Sequence, residues 1–389
     1  MFRVSRFAEV LKLLPRGFFD RLVQQHAADK YRKRSSCWQQ LVAMVYAQFA
    51  GASSLRVLEH SFNAQSSHHY HLGCSPLKRS TLGEMNASAP VEIFVQLAQQ
   101  LMKQARGKLH REGQQLLRLL DSSSLTLKGR GFDEWTAAER TRHTQGLKLH
   151  VLFGLNERAP LAQGISAANL NDIHYAHTLS IEPGAIYVFD KGYCDYHWWA
   201  RIHCSKARFV TRFKRNAKLQ VLEDRAIARH ARGTILKDQI VRFANKHPGA
   251  GRAIPYDLPL RRIEVARENA PPLVLATNDL KSSAQRIADR YRARWQIELF
   301  FKWIKQHLRI KRFLGKSENA VRIQILTALI AYLLVVLYAQ QHRLKTSLWL
   351  LLSELRATLF QRPTQDLQRH RRWRERKSTF HSHQRALFV

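Results

Sequence analysis

The chain has 389 residues, 45% of them hydrophobic, with only 17 Gly and 11 Pro; this suffices for a sizeable core and two or three domains and excludes a fibrous, peptide-like or largely disordered protein. Lys and Arg number 64 against 29 Asp and Glu, a formal net charge of +35. Self-repulsion on that scale destabilises a compact fold unless a polyanion neutralises it, and nucleic acid is the polyanion this balance points to, ahead of a membrane surface or a ribosome-bound structural role.

Residues 1–108 are expected to form a helical N-terminal DNA-binding domain. Phe7, Val10, Leu11 and Leu14 recur at helical spacing, then Pro15 intervenes, then Phe18, Phe19, Leu22 and Val23 repeat the pattern. Trp38, Leu41, Val42, Val45 and Phe49 predict a third helix stopped by Gly51, and residues 55–62 a short fourth, followed by a polar stretch from Asn63 to Cys74. Thr81 and Glu84 then form a candidate capping box for the next helix. Lys78 and Arg79 would precede its N-terminus, where basic residues meet DNA phosphates.

From about residue 109 short apolar runs replace helical spacing, at 116–120, 125–127, 149–155 and 186–189, as in buried strands. With a helix at 196–203 and another strand at 208–213, the order is that of an α/β domain. Residues 215–280 read as a mainly β insertion with strands at 261–266 and 273–276. Two long helices follow, 282–308 and 318–341. The second has no formal charge from Ile323 to His342, but its apolar part is shorter than the ~20 residues of a spanning segment, which predicts a buried core helix and no membrane partner. Six basic residues between Arg369 and Lys377 make the C-terminal region, 346–389, an electrostatic arm.

Four cysteines, Cys37, Cys74, Cys194 and Cys204, form no CxxC pair, so reduced structural thiols are expected. The N-terminus lacks the charged, apolar and small-residue succession of a signal peptide, which predicts a cytoplasmic, nucleoid-associated protein.

The chemistry is concentrated in one helix and two strand ends. Tyr291, Arg294, Glu298 and Lys305 are spaced by three, four and seven, so a continuous helix would set them on one face, a carboxylate in line with a phenol and two cations. Trp295, Leu299 and Trp303 flank this stripe on one side and Ile297, Phe301, Ile304 and Leu308 on the other, which predicts a cleft between packed elements where Glu298 binds metal and the cations meet phosphate. Salt bridging along a solvated face is the plainer alternative. Asp121 follows the run 116–120, and Asp190 ends the run 185–189 before Lys191 and Gly192. Each alone could be a turn or capping residue. Two Asp at strand ends and a Glu on a late helix, in so basic a chain, point instead to metal-dependent phosphoryl transfer on DNA.

The spacing Tyr291-x2-Arg294-x3-Glu298-x6-Lys305 resembles the Tyr-Arg-Glu-Lys signature of DDE transposases of bacterial insertion-sequence family four. Leu120-Asp-Ser-Ser123 and Phe189-Asp-Lys-Gly-Tyr193 resemble that family's first- and second-Asp segments. The resemblance implies a ribonuclease H-like catalytic core over 109–345 with a β-rich insertion. It implies Asp121, Asp190 and Glu298 as catalytic ligands of two Mg2+ ions, with Mn2+ able to substitute. Tyr291, Arg294 and Lys305, with Lys191, Lys78 and Arg79, would contact double-stranded DNA, and the protein would act as a homodimer on transposon ends. A DNA-binding derivative without catalysis and a stand-alone nuclease are the competing functions.

Overall fold

The computed structural model describes residues 4–32, 35–107, 115–139, 141, 143–244 and 256–362. The basic cluster from Arg369 to Lys377 and residues 247–255 of the insertion lie outside them. The chain divides into two compact units, Met1–Leu101 with His307–Val389, and Met102–Gln306.

The first unit starts with α1 (Arg6–Leu11), α2 (Arg16–Gln25), α3 (Cys37–Ala50), α4 (Leu55–Asn63), α5 (Ser66–Leu72) and α6 (Arg79–Ser88), and α7 (Val91–Gly107) leads out of it. Ser5, Ser36 and Ser54 side chains accept a first-turn N–H of α1, α3 and α4, satisfying donors that have no partner within the helix. Gly51 ends α3 in the left-handed region at φ +69°. One helix is added here and one expectation fails. The stretch after Asn63 contains α5, held by His69, which stacks on Phe62 with centroids 4.5 Å apart and reaches its carbonyl at 2.9 Å. The Thr81–Glu84 capping box does not form, because α6 begins two residues earlier, at Arg79, with Lys78 as an N-cap that makes no side-chain bond.

The second unit is built on one sheet. In chain order it contains β1 (Leu117–Thr126), α8 (Asp133–Thr136), β2 (Gly146–Gly154), β3 (Ala159–Ala167), α9 (Asp172–Thr178), β4 (Ile186–Phe189), α10 (Tyr196–Cys204) and β5 (Arg208–Arg212). The insertion strands β6 (Leu219–Asp224), β7 (Ile235–Phe243), β8 (Leu260–Val265) and β9 (Leu273–Thr277) follow, and then α11 (Ala284–Arg292) and α12 (Trp295–His307). The nine strands run β3-β2-β1-β4-β5-β9-β8-β7-β6. β1 is antiparallel to β2 and parallel to β4, β4 is parallel to β5, and the insertion continues the sheet because β9 pairs antiparallel with β5.

The apolar runs found their strands, but β1 extends through Thr126, so Asp121 lies within it rather than at its end. β3, β6 and β7 had no counterpart in the sequence reading. β3 is rich in Ala and Gly and only half buried beyond its first two residues, and β6 is largely exposed, so neither carries an apolar run. The expected helix 282–308 is two helices, broken at Ala293 and Arg294. Trp198 and Trp199 of α10 pack fully buried beside Phe189 and Phe209, giving β4 and β5 a rigid backing.

The chain then re-enters the first unit through α13 (Glu318–Gln341) and α14 (Leu348–Ala357). α13 is long and apolar enough to cross a membrane, but 94% of its most apolar window is buried inside the protein, where it packs on α3 and α6. Asn319 Nδ2 donates to the carbonyls of Asn86 and Ala89 at 2.9 and 2.8 Å. Residues 307–345 thus fall in the first compact unit, with the N-terminal helices.

On β2, His150 is 1% exposed, stacks on Tyr175 at 4.9 Å and places Nε2 2.7 Å from the Ser166 hydroxyl of β3. Burial, helped by Lys148 and opposed by Asp172, lowers its pKa from 6.5 to about 4. The unfolded chain therefore binds a proton that the folded chain excludes, so this contribution to stability is complete above about pH 6.5 and shrinks as pH falls towards 4, by up to about 3 kcal/mol. Urea denaturation at several pH values should show a shallower acid slope for His150→Gln than for the wild type; parallel slopes would remove His150 as the cause.

Candidate active site

Asp121 faces Val151 in the β1–β2 register, and its predecessor Leu120 is the parallel partner of Phe189 at the end of β4. The residue after each of these partners is an aspartate, so parallel pairing itself sets Asp121 and Asp190 side by side. The Asp121 Oδ1 accepts the Ser122 N–H at 2.8 Å. Asp190 opens a 3-10 turn, its Oδ1 accepting the Gly192 N–H at 2.8 Å and its carbonyl accepting the Thr211 hydroxyl of β5 at 3.1 Å. A Cβ on residue 192 would lie 2.9 Å from that Asp190 oxygen, which is why the turn takes glycine.

Glu298 enters from the first turn of α12 with its side chain 33% exposed. Arg294, in the junction between α11 and α12, joins it to the strand: Nη2 donates to Glu298 Oε1 at 2.6 Å and Nη1 approaches Asp121 Oδ2 at 3.5 Å. The Asp121 carboxyl is pushed up to about 6, chiefly by burial, with Asp190 and Glu298 adding to the rise and the Ser122 N–H and Arg294 opposing it. The three carboxylates therefore share one electrostatic environment.

Tyr291 ends α11 with its ring centroid 5.8 Å from the Arg294 guanidinium, and burial is the main cause of its raised phenol pKa. Lys305 donates to the Ser124 carbonyl of β1 at 3.0 Å. Tyr291, Arg294 and Glu298 thus lie together across a broken helix and not on a single helical face, while Lys305 meets β1 at Ser124. The flanks of this stripe also differ from expectation. Ile297, Phe301, Ile304 and Leu308 are buried, whereas on the other side Trp295 and Leu299 are 58% and 40% exposed and Trp303 is half-buried. Lys191 is exposed in the turn after Asp190, and Lys78 and Arg79 are exposed on the helical unit. The Ser122 backbone N–H on the Asp121 carboxylate and the Thr211 hydroxyl on the Asp190 carbonyl escaped the sequence reading, because any residue can supply the first and a hydroxyl in a strand carries no signal of the second.

Among the described residues, no three His, Cys, Asp or Glu side chains are placed together as ligands of one ion. The donor set nonetheless fits a divalent metal. All three groups are hard oxygen donors of the kind Mg2+ and Mn2+ prefer, and a cation, the Arg294 guanidinium, already bridges two of them.

Residues 112–334 match the Transposase DDE domain family, and residues 3–75 match a Domain of unknown function (DUF4372). A Sinorhizobium fredii chain named as transposase y4zB is 42% identical over 279 residues, 69% of this chain and 74% of that one. A Synechocystis chain named as a transposase for insertion sequence element IS4SA is 31% identical over 151 residues, 39% of this chain and 40% of that one. Among solved structures, the piggyBac transposase synaptic complex with hairpin DNA shares the fold at a TM-score of 0.51 and 12% identity, covering 92% of this chain and 80% of that chain. With more than half its length matching that family and a 42% identical relative named as a transposase, the chain belongs to the DDE transposases, enzymes of DNA cleavage and strand transfer.

Proposed function

We propose that this transposase acts on the inverted-repeat ends of a bacterial insertion sequence of family four, the Tyr-Arg-Glu-Lys group, with Asp121, Asp190 and Glu298 as ligands of two Mg2+ ions, for which Mn2+ substitutes. The observation that carries the reading is the geometry of the three acids: parallel pairing sets Asp121 beside Asp190, and Arg294 joins Asp121 to Glu298. Bound divalent ions would supply activation of the attacking oxygen and stabilisation of the leaving oxygen in phosphoryl transfer. One oxygen of each aspartate is held by the Ser122 and Gly192 N–H groups.

Tyr291, Arg294, Lys305 and Lys191 would offer donors to the scissile phosphate, and Lys78 and Arg79 would grip backbone phosphates from the helical unit as part of a DNA-binding domain. The order β3-β2-β1-β4-β5, three antiparallel strands followed by two parallel ones, supports a ribonuclease H-like core with β6–β9 as its insertion. Action on two ends calls for two catalytic centres, hence a homodimer on double-stranded DNA, working in the cytoplasm at the nucleoid.

Asp121→Asn, Asp190→Asn and Glu298→Gln should each lower Mg2+-dependent cleavage and joining of an end duplex by about 100-fold or more, since a lost ligand removes several kcal/mol of transition-state stabilisation. End binding in a gel-shift titration should persist. Cleavage near the wild-type rate by any of them would remove that residue from the site, and loss of end binding by all three would make their role structural.

Gly192→Ala should act through Asp190. The added methyl must push a carboxylate oxygen by a few tenths of an ångström, so cleavage should fall, by less than the about 100-fold that a full 1 Å misplacement costs. Unchanged cleavage by a variant with an unchanged melting temperature would show that the turn tolerates the methyl without moving Asp190.

A further inference from the structure

Arg294 is placed differently from a residue that waits only for phosphate. Its two terminal nitrogens engage two different carboxylates, Glu298 through Nη2 at 2.6 Å and Asp121 through Nη1 at 3.5 Å. The side chain is 18% exposed, and its Nε is buried without a hydrogen-bond partner, so the carboxylate pair does not satisfy the whole guanidinium. Meanwhile no three carboxylates or other ligand side chains among the described residues stand ready around one ion. A cation that spans Asp121 and Glu298 repels a divalent ion from the same pair and keeps Glu298 turned towards itself.

We infer that Arg294 is an exchangeable counter-ion of the catalytic carboxylates: without DNA it bridges Asp121 and Glu298 and opposes metal entry, and a DNA phosphate draws it off, so that metal loading follows DNA binding. The inference rests on the proposed metal role of these carboxylates. Its physical basis is that a guanidinium makes paired, charge-assisted bonds to phosphate as readily as to carboxylate. Arg294 can therefore change partners without being left buried and unpaired. The position suits the exchange, because the residue lies in the two-residue junction between α11 and α12, outside the regular hydrogen bonding of either helix. By linkage, DNA and metal then raise each other's affinity by the same factor. A protein built this way avoids holding a loaded nuclease centre away from its substrate.

The test is Mn2+ binding by the full chain, followed by calorimetry and by the electron paramagnetic resonance signal of free Mn2+, with and without a pre-cleaved end duplex on which no hydrolysis remains. Wild-type protein should bind Mn2+ weakly alone and about 5–150-fold more tightly with the duplex, the usual range of coupling between two sites. Arg294→Gln should bind Mn2+ more tightly than wild type without DNA, and the duplex should add little further. Arg294→Lys, whose single ammonium cannot serve both carboxylates in the same way, should fall between the two and carries the test if the Gln variant does not fold. Equal DNA-free Mn2+ affinity for wild type and the folded variant overturns the inference. Asp190→Asn separates the two readings: if it leaves Mn2+ binding unchanged with and without DNA, the metal assignment fails; if it weakens binding while the Arg294 variants do not tighten it, only the counter-ion role fails.

Discussion

Carboxylates brought within reach of one another in a partly desolvated site repel, and a fold that gathers three of them needs cations held as firmly as the acids. Arg294 is the nearest of these, reaching Asp121 across 173 residues of sequence. Its position depends on a second cation one turn earlier. Arg290 is almost fully buried in α11 and donates to Asp279 at 2.7 Å and to Gln115, just before β1, at 2.8 Å. That arginine ties the helix carrying Tyr291 to the entrance of the strand carrying Asp121. Farther along β1, the fully buried Arg118 sits between Glu157 and Glu182 at 3.0 Å from each. Buried ion pairs of this kind contribute little net stability, because desolvation offsets attraction, but they penalise any arrangement that separates them. Their use here is consistent with a site in which small displacements matter.

The β insertion shares in that positioning. Since β9 pairs with β5, strands β6–β9 continue the sheet of β1 and β4 and are not a module hung from it. Within them Arg261 and Asp238 form a buried pair at 2.6 Å, and Arg261 also donates to the Ser282 carbonyl at the start of the turn into α11. The same turn is held from the core, where Asp279 accepts from Arg208 of β5 at 3.2 Å and from the Ser282 hydroxyl at 2.7 Å. Core and insertion thus fix the approach to α11 together, and through it the place of Arg294 and Glu298.

How much of this was legible in the sequence differs by element. Asp190 was readable because the pattern that marks it is local: an apolar run, an acid, then a glycine whose missing Cβ leaves room for the acid. Glu298 was readable by spacing, although the spacing suggested one helix where there are two, because the break falls in Ala293 and Arg294, neither of which is a helix breaker. Asp121 was expected at the end of a strand, but strand pairing carries β1 past it to Thr126 through residues, Ser122 to Ser124, with low strand preference of their own. β3 and β6 were missed because half-buried or exposed strands have no apolar run to betray them. α13, the most apolar segment of the chain, was placed to the residue, but its partners were not, because hydrophobic periodicity says that a helix is buried without saying against what.

Those partners impose an order of events on synthesis. α3 and α6 complete their packing only against α13, and the Asn86 carbonyl waits for an asparagine 233 residues downstream. At a translation rate of about 5–20 residues per second, the interval is roughly 10–50 s. During it the residues of the second unit, Met102–Gln306, all emerge from the ribosome, while Leu41, Val45 and Phe49 of α3 have no finished core to enter. The newborn chain therefore has its whole catalytic sheet in hand before its own first helices can settle, and any chain released before α13 lacks a finished helical unit at its N-terminus however complete the chemistry behind it.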